Sequence, residues 1–173
     1  MPIPVWAVGQ VLSASDVNSW FVPVAAFKAA DTARSSTTTM TNDPDIVLPL
    51  AASATYYVHG VLFYTGAAMS AFNDPGGFKY TFNVPGSATG HYNPIRDNVS
   101  DQFAGTFADT WTVTENARTS GINTTTDLRV LTIMGLIATA GSGNFQLQWA
   151  QNVSSGTATT LRADSVLLAQ RVA

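Results

Sequence analysis

Cysteine is missing from this chain, which excludes disulfides and thiolate metal sites and leaves the redox compartment open. Lysine occurs only at Lys28 and Lys79, and glutamate only at Glu115. Charged residues make up 11% of 173, with a net charge of −3 and the basic groups scattered, so there is no electrostatic footprint for nucleic acid. No apolar run reaches the length of a membrane span. The opening MPIPVWAVGQ has neither the basic start nor the apolar stretch of a signal peptide. A G-x-S-x-G elbow, a P-loop and a dinucleotide fingerprint are absent too.

Thr, Ser, Asn and Gly stand in for the missing charges. Thr favours extended chain, because its branched Cβ fits a pleated sheet. The composition is that of a β-protein. A surface poor in Lys and Glu is also what a chain needs when much of its surface meets other subunits. One domain of this length buries roughly 70% of its unfolded surface and needs no covalent staple.

Near the N-terminus, Ser13 and Asp16 form an S-x-x-D capping box that predicts a short helix from Ala14 to about Phe21, stopped before Pro23. Trp6, Val11, Leu12, Val17, Trp20 and Phe21 make this segment rich in large apolar groups. It is too short to own a core, so residues 1–28 read as an attachment segment that docks on something else. Residues 29–44 turn small and polar and read as a linker or loop.

Strands dominate the remaining domain, residues 45–173. DIVLPL (45–50) contains Pro49 and should lie at an edge or strand end. ATYYVHGVLFY (54–64) is a strong strand, and FKYTFNV (78–84) alternates well. Residues 85–101 read as a long loop with brief pairing near His91 and Tyr92, and residues 103–114 as a strand. LRVLTIMGLIAT (128–139) is followed by GSGN, a tight hairpin turn into FQLQWAQ (145–151). Short strands parted by Gly, Asn and Pro, with no helices between them, indicate an antiparallel β-sandwich.

The strand at 128–139 and the last run, LRADSVLLAQRV, are apolar on both faces. In the last run Leu161, Ala163, Leu167 and Ala169 share one side, and Val166, Leu168 and Val172 the other. One apolar face serves the sandwich core. The second must lie in a subunit interface or beneath the N-terminal segment. Leu128, Leu131, Ile133, Leu136, Trp149, Val166, Leu168 and Val172 are the candidates for core and interface, without a division between the two.

Residues that might carry chemistry are sparse. Asp97 with Asp101, or Asp109 with Glu115, are the nearest approach to paired carboxylates, and solvated turn aspartates account for them. His59 and His91 are the imidazoles. His59 lies within a strong strand and reads as half-buried or interfacial. His91, Tyr92, Asn93 and Asp97 form a candidate ligand-binding loop, suited to a glycan. No cofactor, metal site or catalytic residue is expected.

The stretch W-x-x-G-x-V-L-S-A-S-D-V-N (6–18), with DTARSSTTT (31–39), DPDIVLPLAASATYYVHGVLFY (43–64) and LQWAQNVSSGTATTLRADSVLLAQRV (147–172), resembles small virion structural proteins of tailed phages infecting actinobacteria. These are the minor tail, head-fibre or decoration type. The resemblance runs through most of the chain and is weakest in the loops of residues 85–121. It implies a jelly-roll similar to the trimeric heads of the tumour-necrosis-factor and complement-C1q type, with the final strand near a threefold axis. It further implies a non-enzymatic homotrimer on the virion, assembled in the host cytoplasm and attached to capsid or tail proteins through its N-terminal segment. A host-receptor or carbohydrate-binding role at the tail tip, on a cell-surface glycan, is the alternative.

Overall fold

Along residues 54–65, buried and half-buried positions alternate without a break, the signature of a strand between a core and a second environment. A computed structural model describes residues 7–67, 77–96, 109–110, 118–120 and 128–173. Helix α1 (Ala14–Trp20) precedes β1 (Val24–Phe27), β2 (Thr32–Arg34), β3 (Thr41–Leu50), β4 (Ala54–Thr65), β5 (Phe78–Asn83) and β6 (Thr89–Arg96). Then come β7 (Asp109–Thr110), β8 (Arg118–Ser120), β9 (Arg129–Thr139), β10 (Gly143–Gln151), β11 (Thr159–Leu161) and β12 (Val166–Arg171). Pairings among the described residues are antiparallel. They build a large sheet, β1-β12-β4-β9-β6-β7 with β11 joining β2 to β4, and a small sheet, β3-β10-β5-β8.

The inner faces meet in a β-sandwich core. From the small sheet come Ile46, Leu48, Phe78, Tyr80, Phe82, Phe145, Leu147 and Trp149; Tyr56, Val58, Leu62, Tyr64, Leu131, Ile133 and Leu167 oppose them. Aromatic rings bridge the sheets: Tyr64 stacks on Phe78 at 4.7 Å, and Tyr92 meets Phe82 edge-on at 5.9 Å. Gly60 lets β12 approach β4. A Cβ there would lie 2.2 Å from the Val166 carbonyl oxygen, which is backbone and cannot rotate away. Gly60→Ala is expected to cost about 1–3 kcal/mol, as other overpacking changes do, read as a lowered urea midpoint.

Several expectations are corrected. Residues 24–27, assigned above to the attachment segment, form edge strand β1, which pairs with β12 from Val24↔Ala169 to Phe27↔Val166. The segment 29–44 is no linker: β2 pairs with β11, and β3 begins at Thr41. The sandwich therefore starts near residue 24. Residues 89–96 are strand β6, not loop, because β9 supplies a full partner from Ala138 to Leu131. The turn after β9 is no hairpin either, since β9 lies in the large sheet and β10 in the small one. The short connection turns a corner between sheets. The edge placement of β3 agrees with its prolines, and the capping box at Ser13 and Asp16 forms as read.

A polar clamp closes one edge of the core. The β3–β10 register shifts between Gln146 and Gln148, a bulge that turns Asp43 inward on a strand whose other buried residues have even numbers. Asp43 Oδ1 accepts the backbone N–H groups of Asp45 and Ile46, both at 3.1 Å. Lys28 Nζ, with its side chain wholly buried, donates to both Asp43 oxygens and to Asp45 at 3.0–3.2 Å. Trp149 Nε1 donates to Asp43 Oδ2 at 3.1 Å. Arg34 from β2 lies 3.9 Å over the Trp149 ring and donates to the carbonyls of Thr41, Asn42 and Trp149. Arg34→Ala is expected to wet the Trp149 edge and shift its fluorescence to the red. An unchanged spectrum would show that Arg34 is not needed to cover the Trp149 ring.

Candidate interaction surface

Register decides what lies on the far side of the large sheet. β4 is its middle, with β12 on one flank and β9 on the other. The outward residues of β4 are Tyr57, His59, Val61 and Phe63, all half-buried. Across to β12 they face Gln170, Leu168 and Val166; across to β9 they face Leu136, Met134, Thr132 and Val130. Phe27 extends the row on β1 beside Val166 and is 65% exposed. Leu136 is 51% exposed and Met134 40%. The result is one contiguous apolar face with no Lys, Arg, Asp or Glu on its β1, β12, β4 and β9 positions. Four strands about 4.8 Å apart, with rows spanning residues 57–63 of β4 or about 23 Å, make a face of about 450 Å² in projection. That is somewhat more than half of one partner's share of a standard interface, about 800 Å².

The candidates now divide. Leu131, Ile133 and Trp149 belong to the sandwich core, each fully buried. Val166 and Leu168 lie half-buried on the outer face, and Leu136 is exposed there. Val172 is half-buried just past β12, its N–H donating to the Thr55 carbonyl at 2.8 Å. Leu128 is exposed ahead of β9.

Of the candidate ligand-binding loop, Tyr92 is corrected. Tyr92 is 2% exposed and packs inward on Phe82, so it is a core residue. His91, its neighbour in β6, is exposed and pairs with Leu136. Successive strand residues face opposite ways, so the two cannot share a site. Asn93 follows in β6; Asp97, like Asp101 and Glu115, lies outside the described residues. Asp109 sits in β7, opposite Tyr92.

A second apolar surface is the N-terminal segment. Val11 is 88% exposed, Phe21 57%, and Leu12 and Val17 are exposed as well. α1 approaches the body at β12. Trp6 lies outside the described residues, and Trp20 closes α1, its side chain outside them too. The outer face of the small sheet contrasts with both. There Asn42 joins Gln146, Gln148 and Asn83 through amide hydrogen bonds of 2.8–2.9 Å.

Sequence reasoning missed Phe27, Tyr57, Val61, Phe63 and Met134 as members of the outer face. The signal was present: in TYYVHGVLF both alternating sets are apolar, as in the two strands that were read as two-faced. The Lys28–Asp43 clamp had no such signal, because it depends on a bulge.

Among the described residues no three His, Asp or Glu side chains gather to hold a metal, and no helix is long and apolar enough to cross a membrane. No family model, no curated protein and no solved structure matches this chain. The fold and its surfaces define the class, a two-sheet antiparallel β-sandwich with an apolar outer face.

Proposed function

We propose that this protein is a non-enzymatic structural component of a bacteriophage virion, a homotrimer held through the outer face of the large sheet and attached to capsid or tail by its N-terminal segment. The observation that carries self-association is that four-stranded face, where apolar side chains of β1, β12, β4 and β9 lie together with no Lys, Arg, Asp or Glu among them and Phe27, Met134 and Leu136 are exposed. Homo-oligomer interfaces are more apolar than other protein contacts. Another copy of the same chain, made at the same time, covers such a face without needing a complementary charge. The strand order supports a jelly-roll, since β1 and β12, from opposite ends of the chain, lie side by side in one sheet while β3 and β10 pair in the other. The virion assignment rests on the resemblance of residues 6–18, 31–39, 43–64 and 147–172 to phage structural proteins. The exposed Val11, Leu12, Val17 and Phe21 suit a segment that docks on another protein.

The test is the solution mass of the full chain and of a chain lacking residues 1–22, which spares β1. Three chain masses in both are expected. A monomeric full chain would overturn the self-association reading. A trimer lost on the deletion would move the contact to the N-terminal segment.

The alternative, a glycan-binding module, loses Tyr92 to the core but keeps the amide row of Asn42, Asn83, Gln146 and Gln148, neutral donors and acceptors suited to hydroxyls. It predicts retention of host cell-wall glycan, abolished by Gln148→Ala.

A further inference from the structure

We propose that His59 makes self-association through the large-sheet face acid-sensitive: the assembled state accepts only the neutral imidazole, so protonation separates the copies. This rests on the reading of that face as the self-contact. His59 lies near the middle of the face, on the central strand, with Leu168 and Met134 as its register partners on either side. Its ring stacks on Tyr57 at 5.2 Å, 22° from parallel. Its Nδ1 is shut off from solvent and has no hydrogen-bond partner among the described residues.

What surrounds the ring decides the sign. On β4 the outward neighbours are Tyr57 and Val61; β12 contributes Val166, Leu168 and Gln170, and β9 contributes Thr132, Met134 and Leu136. Tyr57 is the single titratable group in that set. Farther out, His91 on β6 pairs with Leu136, and another protonated imidazole there would oppose a charge on His59. From α1, which approaches β12, the charged group is Asp16, whose carboxylate is already engaged by the Ser13 N–H and hydroxyl at 3.1 and 2.6 Å. No carboxylate lies on these β4, β12 and β9 positions to compensate an imidazolium. A second copy laid over the face would strip away the water that solvates that charge, and desolvation disfavours the charged form.

The linkage follows. Assembly lowers the pH at which His59 takes up its proton, so association is complete well above the free imidazole value of about 6.5 and weakens as pH falls below it. The limit is tenfold per copy for each pH unit.

The experiment is sedimentation of the full-length chain at about pH 8 and about pH 5, either side of the imidazole range, with far-ultraviolet circular dichroism at both. Wild type is expected as an oligomer at the higher pH and as folded monomer at the lower, while His59→Phe stays assembled at both. His91→Ala should behave as wild type. Should His59→Phe fail to fold, His59→Gln, polar but never charged, is expected to give the same pH-independent mass. Wild type assembled at both pH values would overturn the role of His59 and leave the interface standing. Wild type monomeric at the higher pH would instead overturn the interface. Acid dissociation retained in His59→Phe, or strand signal lost at the lower pH, would assign the transition to another group or to unfolding, and overturn the proposal.

Discussion

Replacing Asp43 by Ala is expected to destabilise the chain by about 3–5 kcal/mol, the range for removing one partner of a buried ion pair. Domains of this kind have a total stability of about 5–15 kcal/mol. Lys28 would remain wholly buried with Asp45 alone, whose side chain is one-third exposed. Trp149 Nε1 and the Ile46 N–H would lose their acceptor. Asp43→Asn keeps an oxygen for the backbone donors and is expected to lose less. Urea unfolding followed by Trp fluorescence checks both, and a loss under about 1 kcal/mol would mean that Asp45 by itself satisfies Lys28.

The same carboxylate sets an acid limit. Burial by itself would raise Asp43, but the hydrogen bonds from Lys28, Trp149 and Ile46 and the Lys28 charge together hold it below the usual carboxylate range. A group depressed in the folded state contributes its stability above its unfolded value of about 3.9 and loses it as pH falls through the folded value. The clamp's contribution therefore begins to fall away below about pH 4 and is gone only below the lower folded value.

Leu168→Asp is expected to abolish assembly while leaving the fold. Leu168 is outward and half-buried, between Ala25 on β1 and His59 on β4, so a single chain can solvate the new carboxylate. In an assembly every copy would bury one without a partner, at several kcal/mol each, enough to push association beyond micromolar concentration. Leu167→Asp, one residue earlier, places the charge in the sandwich core, where Leu167 is fully buried, and should prevent folding. Light scattering and circular dichroism of the two variants separate the faces of β12. A Leu168→Asp chain with wild-type mass would exclude this face from the contact.

The faces of β10 and β12 were legible, and β9 was legible as two-faced, because a two-residue period assigns sides regardless of partner. The run ending in β12 is broken between Leu161 and Val166, where Asp164 has a positive φ. Leu161 pairs with Tyr64 and Val166 with Val61. Two extra residues therefore sit on the last strand, an even insertion that preserves its parity, so the reading of its faces held although the strand did not. β6 was legible only as brief pairing near His91 and Tyr92, because Gly90 and Pro94 depress strand propensity locally, and its ladder with β9 overrides them. β1 and β2 were illegible because four and three residues carry too little pattern; pairing with β12 and β11 makes them strands.

By itself the sequence determined the class of fold, the capped helix, and the existence of a second apolar face, since composition and periodicity are local properties of the chain. Tertiary structure alone decided that Tyr92 is core, that Asp43 turns inward onto Lys28 and Trp149, and that Phe27, Leu168, His59 and Met134 share one surface. Those facts depend on register between segments distant in sequence. Register is set by packing across the whole sandwich, which no local pattern encodes.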